Sequence, residues 1–203
     1  RQMKLRRKKF RLSLLPSKQL LWLWLWREMR ASRGKEVGID AGCGLMQNRA
    51  LFDSAYYVGI DVDQERLDAD RVRYPGVRTI CSEIEKAPEL LDRLGDVVLC
   101  VQVMHNRHFT IGRTIPTIAA MCRMLRPGGL LIFNIGARNM PYEEKIDTLL
   151  QGKFERIDKR PYGAFSAKET YFSPVLAGLM YLSPALRLWG GAGKILYVCH
   201  GRK

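Results

Sequence analysis

The stretch "VGIDAGCGLM", residues 37–46, decides how the rest of the chain is read. A short apolar run ends on Asp40, and two glycines, Gly42 and Gly44, flank a cysteine immediately after it. An apolar run of this length reads as a strand buried on both faces, and such strands belong to parallel sheets. Glycine at the strand's exit allows positive φ and leaves room for another group to approach the backbone.

Further apolar runs follow: "YYVGID" (56–61), "VRTICSE" (77–83), "DVVLCVQ" (96–102) and "GLLIFNIG" (129–136), with "EVGIDAG" (36–42) as the first of the series. Stretches of helical length lie between them at 46–54, 63–74, 85–94 and 108–124. Strand–helix alternation implies a doubly wound α/β sheet with right-handed crossovers. "LRPGG" (125–129) is expected to end the last of these helices and turn the chain into the next strand. Beyond residue 136 the rhythm loosens. "FERIDKRPYG" (154–163) and "KILYVCHG" (194–201) read as two more strands, separated by the apolar stretch 173–189, whose two Ser-Pro pairs predict two short helices.

In open α/β sheets a ligand sits beyond the carboxyl ends of the strands, where the strand order reverses. "DAGCGLM" is therefore the natural cofactor loop. A dinucleotide site would want G-x-G-x-x-G, but the position three after Gly44 is Gln47, and Asp40 would repel a pyrophosphate. A carboxylate there suits a ligand with positive charge. Asp61, about 20 residues on, can accept hydrogen bonds from a ribose diol. Ribose, positive charge and no phosphate describe S-adenosylmethionine.

The succession "VGIDAGCG", "YYVGID", "ICSEIE", "GDVVLCVQVMH" and "LRPGGLLIFNIG" resembles the class I S-adenosylmethionine-dependent methyltransferases over residues 35–136. The resemblance implies a Rossmann-like, mostly parallel seven-stranded sheet, with S-adenosylmethionine as cofactor and no metal. It implies that Asp40, Ala41, Gly42 and Gly44 cup the methionine part of the cofactor. Asp61 would bind the ribose hydroxyls, with Val62 against the adenine. Glu83 and Ile84 would contact the adenine edge and face, and Gln102 would lie near the transferable methyl. Three features depart from the family pattern. Met46 stands where a third glycine is common, which leaves less room at the backbone. Glu83 replaces a commoner aspartate. No "NPPY"-type run follows the fourth strand, which argues against a nucleobase as acceptor.

Methyl transfer is an in-line displacement, so alignment contributes most, and a base is needed only where the acceptor holds its proton. His105 in "VMHNRH" is the candidate base, with His108 the weaker one, and Tyr162 and Phe165 are candidate walls of the acceptor pocket.

Outside this core the chain is unusual in charge. Lys and Arg number 34 against 20 Asp and Glu, for a net charge of +14, so an anionic partner is expected. Residues 1–11, "RQMKLRRKKFR", are a basic tail, and 17–32 read as a helix with Trp22, Trp24 and Trp26 in its apolar middle. Apolar groups around most of its circumference predict burial on several sides, under the sheet or in a dimer interface, or contact with a membrane. The organisation expected is a tail and helix over 1–33 and a methyltransferase domain over 34–203. The five cysteines show neither a CxxC pair nor a ligand cluster, which reads as reduced thiols in a cytoplasmic protein.

The expected acceptor is small or lipid-linked, a saccharide or lipid intermediate, handled at an anionic membrane surface through residues 1–33. An RNA methyltransferase and a non-catalytic partner subunit of the same fold are the alternatives, and homo-oligomerisation is left open.

Overall fold

The computed structural model describes residues 16–31, 34–104, 106, 108–162, 175, 178–179, 182 and 193–203. The basic tail 1–11, His105, Phe165 and most of the apolar stretch 173–189 lie outside the described residues. Within that stretch Val175, Gly178, Leu179 and Leu182 are helical.

Seven strands form one sheet: β1 (Val37–Ala41), β2 (Tyr56–Asp61), β3 (Arg78–Cys81), β4 (Gly95–Cys100), β5 (Leu125–Ile135), β6 (Phe154–Tyr162) and β7 (Lys194–Arg202). Their order is β3-β2-β1-β4-β5-β7-β6. The first five pair in parallel, and β7 runs antiparallel between β5 and β6. The expected mostly parallel seven-stranded α/β sheet is what the chain forms. Every residue of β1 and β4 is buried, which is why those runs are apolar throughout. The edge strand β6 instead carries charges along its length, which discourages pairing with another chain.

The two faces are covered by α1 (Pro16–Ala31), α2 (Gln64–Arg73), α3 (Thr114–Arg123) and α4 (Glu143–Gln151). Ile118, Met121 and Cys122 of α3 and Ile146 and Leu150 of α4 join one apolar cluster, and α1 with Leu67 of α2 joins the other. Three expected helices are shorter than the sequence suggests. Over 46–54 and 85–94 only single 3-10 turns form, Arg49–Leu51 and Ala87–Leu90. Over 108–124 the α-helix starts at Thr114 after another such turn. Pro116 is tolerated only in a first helical turn, where its missing N–H has no partner to lose, and this sets the start. The helix ends at Arg123, before "LRPGG". Those residues are a bulge in β5: Gly95 and Val97 of β4 face Leu125 and Leu130, so five residues of β5 span two of β4.

α4 is an addition to the sequence reading. Glu143 and Glu144 in its first turn suit the helix dipole, and Ile146 and Leu150 bury a single stripe.

α1 corrects the expectation of burial on several sides. Ser17, Leu20, Leu21, Trp24, Leu25, Glu28 and Met29 are buried on one face. Their partners include Phe52, Tyr162, Leu196 and Val198. Trp24 meets the Tyr162 ring edge-on at 5.7 Å, and Arg160 donates to Glu28 at 2.6 Å. The opposite face leaves Leu23 42% and Trp26 41% exposed, with Lys18, Arg27 and Arg30 exposed beside them. No helix among the described residues is long and apolar enough to cross a membrane.

All five cysteines are free, and four are buried. Burial raises the thiol pKa of Cys122 to about 11 and pushes those of Cys43, Cys100 and Cys199 up further.

Candidate cofactor and acceptor site

Parallel register brings the carboxyl ends of β1 to β4 to one edge of the sheet. Ala41 lies beside Ile60, and Asp61 lies beside Cys81. The strand order reverses between β1 and β4, so the crevice where ligands bind in such folds opens there. Asp40, Ala41, Gly42, Gly44, Asp61, Val62, Glu83, Ile84 and Gln102 all belong to these strand ends or to the residues just beyond them. The expected set is thus gathered along one edge, although its members play unequal parts.

In the loop after β1, the N–H groups of Gly42 and Cys43 both donate to the Ile60 carbonyl, at 2.7 and 2.9 Å. Gly42 and Gly44 take φ of +77° and +55°. The open space expected at both glycines is present at only one. A Cβ on Gly42 would lie 2.3 Å from Val103 Cγ2, whereas one on Gly44 would have no neighbour within 4 Å. The notch at Gly42 is therefore filled by the chain's own valine, and the open space lies at Gly44. Met46 also departs from expectation. Its φ of +46° is the left-handed conformation that glycine favours. Its side chain is buried, with Cε against Gly59, so it does not narrow the crevice.

Asp40 is fully buried and accepts from Tyr57 Oη at 3.0 Å and Asn48 Nδ2 at 3.4 Å. Burial raises its carboxyl to about pKa 7 against the lowering effect of those two donors. Asp61 is fixed by backbone at both oxygens: Gly44 N–H donates to Oδ2 at 2.8 Å and Asp63 N–H to Oδ1 at 3.0 Å. Each oxygen keeps a lone pair for another donor. The cap of α2 is Asp63, whose side chain accepts from Arg66 N–H. Val62 beside it is 67% exposed.

Glu83 carries two cations, Lys86 Nζ and Arg113 Nη1, each at 3.1 Å. Ile84 is buried in the apolar core, so its side chain supports the strand end from beneath. Gln102 takes φ of +65°, and its N–H donates to Asn134 Oδ1 at 2.8 Å. Its Nε2 is buried with no hydrogen-bond partner among the described residues. A buried amide donor without a partner is the kind of group a ligand satisfies. Asn134 also donates to Tyr162 Oη at 3.0 Å. With Trp24 against its ring, Tyr162 is a core residue and not a wall of the crevice. His108 is exposed. Arg113 and Asn134 have no counterpart in the sequence reading, because their contacts with Glu83 and Gln102 span about thirty residues and leave no local pattern.

Residues 39–133 match the family model described as a methyltransferase domain. These residues carry a methyltransferase domain. Among proteins related in sequence, it is 24% identical over 133 residues to tRNA (carboxymethyluridine(34)-5-O)-methyltransferase ALKBH8 of Mus musculus, across 65% of this chain. The chain's match spans 19% of that relative's own length. The solved structures like it include the N-methyltransferase NodS from Bradyrhizobium japonicum WM9, with a TM-score of 0.66 at 16% identity, covering 93% of this chain and 98% of that one. An rRNA methylase from Streptococcus thermophilus superposes with a TM-score of 0.54 at 11% identity, covering 82% and 87% of the two chains. At these identities the structural likeness speaks for the fold.

Proposed function

We propose that the domain holds S-adenosylmethionine across the ends of β1 to β4 and directs its methyl to an O or N nucleophile of a small or lipid-linked acceptor, such as a saccharide or lipid intermediate, at an anionic membrane surface. The residues fit this cofactor. Asp61 keeps an acceptor site on each oxygen for the ribose hydroxyls, Val62 offers an apolar face to the base, and Gln102 has an unsatisfied buried donor. Asp40 places a carboxylate that a nearby positive charge would ionise. The cofactor supplies an electrophilic methyl group. What the chain contributes is alignment, with His105 as the proposed base where an acceptor retains its proton.

The observation that carries the acceptor side is the outer face of α1. Leu23 and Trp26 are exposed there among Lys18, Arg27 and Arg30. An amphipathic helix with a basic rim and a tryptophan is the composition that sits on anionic headgroups. Sedimentation with phosphatidylserine-containing vesicles tests this. The chain should partition with them and lose most of that binding in Leu23→Ser/Trp26→Ser. Equal partitioning of both proteins would end the membrane reading. Calorimetry with S-adenosylmethionine tests the cofactor side, where Asp61→Ala should weaken binding about a hundredfold or more, as loss of two hydrogen bonds to a charged group requires.

A second reading, an RNA acceptor, is favoured by the likeness to a tRNA methyltransferase and by the net charge of +14. Methylated product from RNA with a steep salt dependence would replace the lipid-linked reading with it.

A further inference from the structure

A chain of charged contacts reaches the adenine end of the site from outside it. Thr117 Oγ1, on α3, donates to Glu85 Oε1 at 2.5 Å. Glu85 grips Arg113 at two points, Nε to Oε1 at 2.9 Å and Nη2 to Oε2 at 2.5 Å. Burial works to raise the pKa of Glu85, and the hydrogen bonds from Arg113 and Thr117 outweigh it, so the carboxyl stays ionised at lower pH than usual. With two of its nitrogens held, the guanidinium has a fixed plane, and its third, Nη1, lies 3.1 Å from Glu83 Oε1. Lys86 reaches the other oxygen of Glu83, but its side chain is 74% exposed and on a flexible stem.

We propose that Arg113 is a positioning residue that fixes Glu83 as a reader of the purine's 6-amino group, and so sets the cofactor's base selectivity. This rests on the cofactor reading above. A carboxylate has about four lone-pair sites. Arg113 and Lys86 occupy one on each oxygen, which leaves acceptor capacity and no donor. Such a group accepts from an exocyclic amine and repels the carbonyl that replaces it in hypoxanthine. Unheld, a glutamate samples several rotamers and loses that directionality. The pairing could alternatively do no more than staple the start of α3 to the end of β3. In that case removing it would weaken every ligand alike.

Calorimetry with S-adenosylhomocysteine and S-inosylhomocysteine separates the two. The wild-type chain should prefer the adenosyl ligand by about tenfold or more, as expected where a site built for an N–H donor meets an analogue lacking it. Arg113→Gln should bring the preference to within about twofold, Arg113→Lys should fall between, and Glu83→Gln should match Arg113→Gln, since one hydrogen bond is worth about tenfold. Parallel thermal melts confirm that each variant is folded. Glu83→Gln leaves the Arg113–Glu85 pair intact, so it decides the matter even where Arg113→Gln does not fold. A preference unchanged in the folded variants, or absent from the wild type while both ligands bind, overturns the inference and leaves the cofactor reading standing. Failure of the wild type to bind either ligand overturns both.

Discussion

The loop after β1 and the turn after β3 differ in how they use their residues. Around β1 nearly everything faces inward: Asp40 is buried under Tyr57 and Asn48, Val103 fills the notch at Gly42, and Met46 packs against Gly59. After β3 the charged groups face outward, with Glu83 shared between Lys86 and Arg113, while Ile84 turns into the core. The glycine loop therefore works chiefly as a piece of shaped backbone. In the proposed function, ligand chemistry falls to the groups around it. A motif that reads as a set of contacts can owe most of its composition to the contacts the chain makes with itself.

That contrast can be broken in four places. The largest effect is expected at Gly42, where alanine meets Val103 as well as the positive φ; Gly42→Ala should lose about 3 kcal/mol in urea unfolding. If it is as stable as the wild type, Val103 does not occupy the notch. Met46→Gly comes next. It should cost about 2 kcal/mol, the lost burial being offset in part by relief of the left-handed conformation, with S-adenosylmethionine affinity unchanged. Tighter binding in this variant would mean that the side chain does obstruct the ligand.

Asp40 sharpens the comparison through pH. Its acid is held neutral by burial to about pKa 7 in the folded chain against 3.8 ordinarily. Between those values the folded state binds the extra proton, so stability is greatest at the acid end and falls as pH rises through the window. The contribution should approach, and not exceed, about 1.4 kcal/mol per pH unit. Asp40→Asn should flatten that slope in melts taken from pH 5 to 7, and equal slopes would place the proton elsewhere. The smallest effect is expected at Gly44, where only φ opposes a side chain: Gly44→Ala should cost about 1 kcal/mol in the same urea assay. A cost as large as that at Gly42 would mean the two glycines do the same work.

The central strands were legible because burial on both faces leaves an apolar signature that local sequence records. The helices were less so. Pro116 shortens α3, and the register of β5 turns Arg126-Pro127-Gly128-Gly129 from a helix stop into a bulge, which only the pairing with β4 decides. α4 was missed although Pro141, two glutamates and the spacing of Ile146 and Leu150 were all present. At the site, Asp61 was found from its distance to the glycines. Arg113, Asn134 and Val103 were not, since each acts across the sheet's upper edge on a residue remote in the chain. The tryptophans split between core and surface as helical spacing requires. Trp24 and Trp26 are two residues apart, and on a helix that spacing puts one in the core and the other in solvent.

The packing of α1 also bears on the order in which the chain folds. Its partners Tyr162, Leu196 and Val198 belong to β6 and β7, and Glu28 and Arg160 are 132 residues apart. Contacts so distant cost loop-closure entropy before they return any stabilisation, and they slow folding. During synthesis the face of α1 with Leu20, Leu21, Trp24 and Leu25 is made early and waits for the antiparallel pair that covers it. That interval, rather than the finished fold, is when the apolar face of α1 stands uncovered.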